Sequence, residues 1–157
     1  MTGHARGLTL ERMHLVHATS VDLEGHGVLL RGAPSSGKSD LALRLIDGGA
    51  RLVSDDQTRL RREGRRLIMS APEAIAGRLE VRGLGIVRVP AATDVPLVLV
   101  VDLASAEQVE RSPEPAVCRF LDVEVPCLAL APFEASAVAK LRLAVQNRAG
   151  DKHSRDE

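Results

Sequence analysis

The residues Gly32-Ala33-Pro34-Ser35-Ser36-Gly37-Lys38-Ser39 carry the strongest chemical signal in the chain. They match the pattern GxxxxGK(S/T) at every fixed position. Each fixed residue has a physical reason. Gly32 and Gly37 let the backbone curl so that successive N–H groups point inward at phosphate oxygens. A helix starting at Lys38 would aim its unpaired N–H groups and positive dipole end at the same anion. Lys38 supplies a point charge to the β- and γ-phosphates. Ser39 offers a hydroxyl to Mg²⁺, which prefers hard oxygen ligands. The expected ligand is therefore a nucleoside triphosphate held by residues 32–39. The loop does not name the acceptor.

Phosphoryl transfer also needs carboxylates. A generic search selects Val98-Leu99-Val100-Val101-Asp102, an apolar strand ending in an acid. The rival is Arg51-Leu52-Val53-Ser54-Asp55-Asp56. Adjacent carboxylates at a strand end can divide their roles, because strand side chains point to opposite faces. One could act as a base while the other supports the metal. The plain alternatives are a solvated turn for the pair and a helix N-cap for Asp102. The residues alone leave this choice open. His17 is a further candidate, since histidine titrates near neutrality and suits a phosphate contact, although a lone histidine is more often structural.

These groups must be positioned by something. The apolar run 28–30 predicts a buried strand leading into the loop. Residues 38–47 have helical spacing, with Leu41 and Leu45 one turn apart and Gly48-Gly49 as a stop. A strand is expected over 15–23 and another over 51–54. Residues 58–69 read as a hairpin turning at Glu63-Gly64. Its five arginines (Arg59, Arg61, Arg62, Arg65, Arg66) read as a solvated face. A short helix is expected over 72–79, and a strand broken by Gly83 and Gly85 over 80–89. The β-branched run 97–101 predicts a central strand. A short helix or turn follows at 105–111. Strands are expected over 119–125 and 127–130, separated by Pro126. The last helix is expected over 134–146, with Val138, Leu141 and Val145 on one stripe. The pattern predicts a mixed α/β sheet flanked by helices. Residues 1–11 are expected to be flexible, 12–149 a single phosphate-loop kinase domain, and 150–157 a disordered tail.

Composition narrows the function. The chain of 157 residues has 21 basic and 21 acidic residues, so no global basic footprint for nucleic acid. It has two Phe, no Tyr and no Trp, which argues against aromatic platforms for single-stranded nucleic acid. Nucleotide affinity is expected to come chiefly from the triphosphate end. No apolar h-region opens the chain and no run approaches a membrane span. A cytoplasmic protein without a membrane or nucleic-acid partner is expected. Cys118 and Cys127 form no metal-type motif and read as two free thiols.

Four features together resemble the catalytic domain of bacterial HPr kinase/phosphorylase. They are His17 ahead of the first core strand, GAPSSGKSD from Gly32, GGARLVSDD from Gly48 and RLEVRGLGIV from Arg78. The last resembles the family signature and is more specific than a phosphate loop. The resemblance implies an HPr kinase catalytic-domain-like fold and an ATP- and Mg²⁺-dependent serine kinase acting on HPr or an HPr-like phosphocarrier. It implies phosphorolysis as the reverse activity. Lys38 and Ser39 would bind phosphate and metal, and Asp55 would be the base. Asp56 and Glu80 would serve the metal, His17 would lie near the phosphate, and Arg82 would support the acidic cluster. On this reading Asp102 yields to Asp55 and keeps a capping role.

Typical members carry a separate N-terminal domain. Here the loop begins at Gly32, as in the short form of alphaproteobacteria. Lys140 and Arg142 are the nearest match to a later basic loop that carries an arginine for phosphorolysis. The family's hexamers imply an oligomer. The face near 83–90 and the last helix are candidates for acceptor contact. A small-molecule kinase and a non-catalytic ATP-binding regulator are the alternatives on the same core.

Overall fold

The computed structural model describes the backbone of residues 13–156 and the side chains of residues 13–148. The expected flexible segment 1–11 lies outside them, as do the side chains of the expected tail 150–157.

Strand β9 (Val95–Leu103) is the hub. Along one edge it runs parallel to β3 (His26–Arg31). On its other edge the start pairs antiparallel with β6 (Arg66–Ser70), and the end runs parallel to β11 (Val123–Leu130). The sheet continues beyond β3 through β2 (Thr19–Leu23) to β4 (Arg51–Ser54). Beyond β6 it continues through β5 (Thr58–Glu63) to β1 (Met13–Val16). Among the described residues β10 (Ala116–Phe120) pairs only with β11. A separate hairpin joins β7 (Arg78–Val81) and β8 (Gly85–Arg88).

Alternation along the strands explains the two cores. Val28, Leu30, Leu99 and Val101 face helices α1 (Lys38–Asp47) and α2 (Ala137–Asp156), where they meet Leu41, Leu45 and Leu141. Leu29 and Val100 point the other way, into a cluster with Leu60, Leu67, Met69, Phe120 and Val125. Helix α1 keeps the bounds its sequence predicts. Gly37, at φ 104°, starts it, and the Gly48 N–H closes onto Arg44 and Leu45 carbonyls. Asp40 and Arg44 pair at 3.0 Å on its outer side.

Five expectations change, and one is that the strand expected over 80–89 folds back on itself as the β7–β8 hairpin, with Glu80 facing Ile86. The strand expected over 15–23 is two strands, because the chain leaves β5 as partner at Val16 and joins β3 at Thr19. The helix expected over 72–79 shrinks to one 3₁₀ turn, Glu73–Ile75. Leu79, fully buried, is needed in β7, and tertiary burial overrides the local signal. Pro126 does not separate two strands but lies within β11. It faces Val117 of β10, and the parallel ladder to β9 begins only at Cys127, so its missing N–H costs no bond there. The hairpin turn falls instead at Leu121 and Asp122, both with positive φ. The last helix starts at Ala137, three residues later than expected.

Candidate active site

The loop 32–39 leaves the carboxyl end of β3, where parallel strands of an α/β sheet present their ligands. Two positions in it have no room for a side chain. A Cβ on Gly32 would collide with Ser36 Oγ, and one on Gly37 would come 2.9 Å from Phe133 Cζ. Ser35 also adopts a left-handed conformation, at φ 66°. Ser36 Oγ is buried without a hydrogen-bond partner, and such a group normally has one. A cradle that a Cβ would fill, lined by an unpaired hydroxyl, fits phosphate oxygens. Lys38 Nζ turns back into the loop and donates to the Gly32 carbonyl at 2.8 Å.

The acidic pair meets this loop. Ser39 Oγ donates to Asp55 Oδ1 at 2.9 Å. Asp55 also accepts from Thr19 Oγ1 at 3.2 Å and, through Oδ2, from the Glu80 N–H at 3.0 Å. Asp56 goes elsewhere: its Oδ1 lies 3.9 Å from Lys38 Nζ, and its side chain is 68% exposed. Strand alternation is not what parts the two carboxylates. β4 ends at Ser54, and Asp56 stands at φ 65°, a left-handed conformation that Asp tolerates better than most residues. Thr19, fully buried, holds this elbow by accepting the Asp56 N–H at 3.1 Å. Ser39 and Asp55 form an adjacent set of hard oxygens, and that donor chemistry fits Mg²⁺.

The other expected residues fall as follows. His17 is exposed in the bend between β1 and β2, two residues before Thr19. Glu80 is exposed on β7, tied to the site through its own N–H. Among the described residues, Asp55, Asp56 and Glu80 do not form a set with ligand atoms all within 4.8 Å. Arg82 is exposed and makes no ion pair with the acids among the described residues. Arg142 lies at the far end of α1, donating to the Gly48 and Leu45 carbonyls at 3.2 and 3.4 Å. Lys140 pairs with Glu134 at 3.1 Å. Neither joins the phosphate loop.

Asp102 neither caps a helix nor joins the acids. It pairs with Arg31, the last residue of β3, through bonds of 2.7 and 3.1 Å. The neighbouring 3₁₀ turn is capped by Ser105 and Gln108. Sequence reasoning missed what gathers here. Asp102, Cys118 and Cys127 bring ligand atoms within 4.8 Å of one another, and Arg31 donates to Cys118 Sγ at 3.1 Å. Both thiols are free. Burial, and then the hydrogen bond with Cys118, push the Cys127 thiol up to about 11. The guanidinium of Arg31 is itself held further toward its charged form by Asp102. Arg31 thus already bonds two of the three groups that a metal ion there would need.

Comparison with known proteins places this geometry. The model of the HPr Serine kinase C-terminal domain family matches residues 9–141. HPr kinase/phosphorylase of Geobacillus thermodenitrificans is 40% identical over 127 residues, covering 73% of this chain and 41% of that protein. The enzyme of the same name from Clostridium tetani is 47% identical over 75 residues, covering 48% of this chain and 25% of its own length. The chain thus spans less than half the length of these curated relatives. The solved structure of the Hpr(Ser) kinase/phosphatase from Coxiella burnetii superposes with a TM-score of 0.80 at 27% identity. That match covers 89% of this chain and 99% of the other.

Proposed function

The chain belongs to the HPr serine kinase C-terminal domain family, and on that premise we propose that it is an ATP-dependent serine kinase whose acceptor is HPr or an HPr-like phosphocarrier. The observation that carries the reading is the 2.9 Å bond between Ser39 and Asp55. It joins a phosphate cradle to a carboxylate at the place where a hydroxyl acceptor would have to react.

In this reading the loop N–H groups and Lys38 bind the β- and γ-phosphates of ATP and absorb the charge that develops during transfer. Asp55 takes the proton of the acceptor serine. The serine oxygen bonds to the γ-phosphorus, the bond to the bridging oxygen breaks, and ADP departs. In phosphorolysis an oxygen of inorganic phosphate bonds to the phosphorus of the phosphoserine, the bond to the serine oxygen breaks as protonated Asp55 gives that oxygen its proton, and pyrophosphate departs. Mg²⁺ would be held at the Ser39 hydroxyl, with Asp56 and Glu80 turning in to serve it, and would neutralise phosphate charge. Asp56 stands beside Lys38, and His17, exposed in the bend two residues ahead of Thr19, would turn toward the phosphate. The exposed Leu84 and Ile86 at the tip of the β7–β8 hairpin, next to Glu80, offer a face for a protein acceptor.

No helix among the described residues is long and apolar enough to cross a membrane. A cytoplasmic enzyme, working as an oligomer, completes the proposal. The test is transfer of label from γ-labelled ATP, with Mg²⁺, to a serine of the carrier. Absence of transfer with folded enzyme and carrier would sink the reading.

A further inference from the structure

One of the two phenylalanines, Phe120, is buried, whereas Phe133 is 71% exposed. Phe133 follows β11, whose carboxyl end lies two strands from β3 at the same edge of the sheet as the phosphate loop. Its ring edge lies against Gly37: a Cβ there would come 2.9 Å from Cζ and 3.2 Å from Cε1. The preceding Pro132 is buried beside it, and its carbonyl accepts from Arg44 of α1. The segment is thus fixed to the phosphate loop and its helix, while most of the ring meets water.

A nucleotide in the loop has two ends. The reacting end is marked by Asp55, Asp56 and Lys38, on the side of β3 that carries β2 and β4. A nucleotide whose γ-phosphate points to that side would lead its nucleoside to the other, toward β9 and β11, where Phe133 stands. We propose that Phe133 is the platform on which the nucleobase of the bound nucleotide stacks. The proposal rests on the reading of the chain as an ATP-dependent kinase. A phenyl ring has no hydrogen-bonding groups, so this contact favours any purine over no base and does not by itself separate ATP from GTP.

The absence of tryptophan supplies the test, because Phe133→Trp introduces the chain's sole indole. Binding of ATP and of inorganic tripolyphosphate, each with Mg²⁺, is measured by calorimetry on the whole chain. Phe133→Ala should weaken ATP about tenfold and leave tripolyphosphate within about twofold, as expected of a side chain that meets the ligand only at its base. Phe133→Trp should keep ATP affinity, with indole fluorescence quenched by ATP and not by tripolyphosphate. Equal weakening of both ligands by Phe133→Ala, or of neither, overturns the stacking role and leaves the kinase reading standing. Unchanged ATP affinity with impaired phosphorylation of the carrier also overturns it, placing the ring against the protein acceptor instead. Failure of the wild-type protein to bind either ligand overturns the kinase reading and the stacking role together.

Discussion

The hydroxyl of Ser39 and the carboxylate of Asp55 are hydrogen-bonded at 2.9 Å, which ties the first turn of α1 to the end of β4. Asp55→Asn keeps the size of the side chain and removes the proton acceptor. It should lower transfer to the carrier by about 10²–10⁴-fold, the range of a general base, and leave ATP affinity within a few-fold. Single-turnover transfer and calorimetry on the same preparation check both halves.

Thr19 bridges the two acidic residues from a fully buried position. Thr19→Val preserves its shape and strips both bonds. Each part-buried hydrogen bond lost costs about 0.5–1.5 kcal/mol, so urea unfolding should show a loss of about 1–3 kcal/mol. Transfer should fall as the Asp55–Asp56 elbow loosens, with Thr19→Ser restoring both. Activity unchanged in Thr19→Val would show that the elbow holds without it.

The ion pair of Asp102 with Arg31 is partly exposed, at 44% and 32% of the two side chains. Solvent screening limits such a pair to about 1 kcal/mol or less. Asp102→Asn should therefore shift the unfolding midpoint only slightly and leave transfer within a few-fold. A loss comparable to that of Asp55→Asn would return Asp102 to the metal site.

Arg142 closes the carboxyl end of α1 through the Gly48 and Leu45 carbonyls. Arg142→Ala should cost about 1 kcal/mol in stability and leave the ratio of phosphorolysis to kinase rate unchanged. A selective loss of phosphorolysis would instead give Arg142 a part in the reverse reaction.

Cys127 provides a pH signature. Its ordinary value is 9.0, and the fold raises it to about 11. Between those values the unfolded chain has lost a proton that the folded chain keeps. Stability present below pH 9 should therefore decline as pH rises toward 11. Cys127→Ala should flatten that part of a urea-midpoint profile. Iodoacetamide should label Cys127 in the folded protein slowly at pH 8 and faster at higher pH, because the thiolate is the reactive form.

Much of this was legible in the sequence because it is local. Gly37 and Gly48-Gly49 bracket α1, and the run 97–101 lies within the central strand. Glu63-Gly64 marks its hairpin, and the arginines around it remain mostly exposed, as their density suggests. What could not be read depends on partners distant in the chain. Nothing at His17 signals that the strand changes neighbours there. Pro126 looks like a break because its position opposite β10, ahead of the ladder to β9, is invisible in one dimension. The pairing of Arg31 with Asp102 spans 71 residues, and the gathering of the two cysteines beside it follows from strand register alone. Asp55 and Asp56 were found as a pair, but their division of partners comes from a left-handed turn and a buried threonine.

Strand β9 pairs with β3, β6 and β11, and its side chains supply both apolar clusters. A chain built around such a shared strand has no half that can melt while the other persists. Heat should unfold it as one cooperative unit.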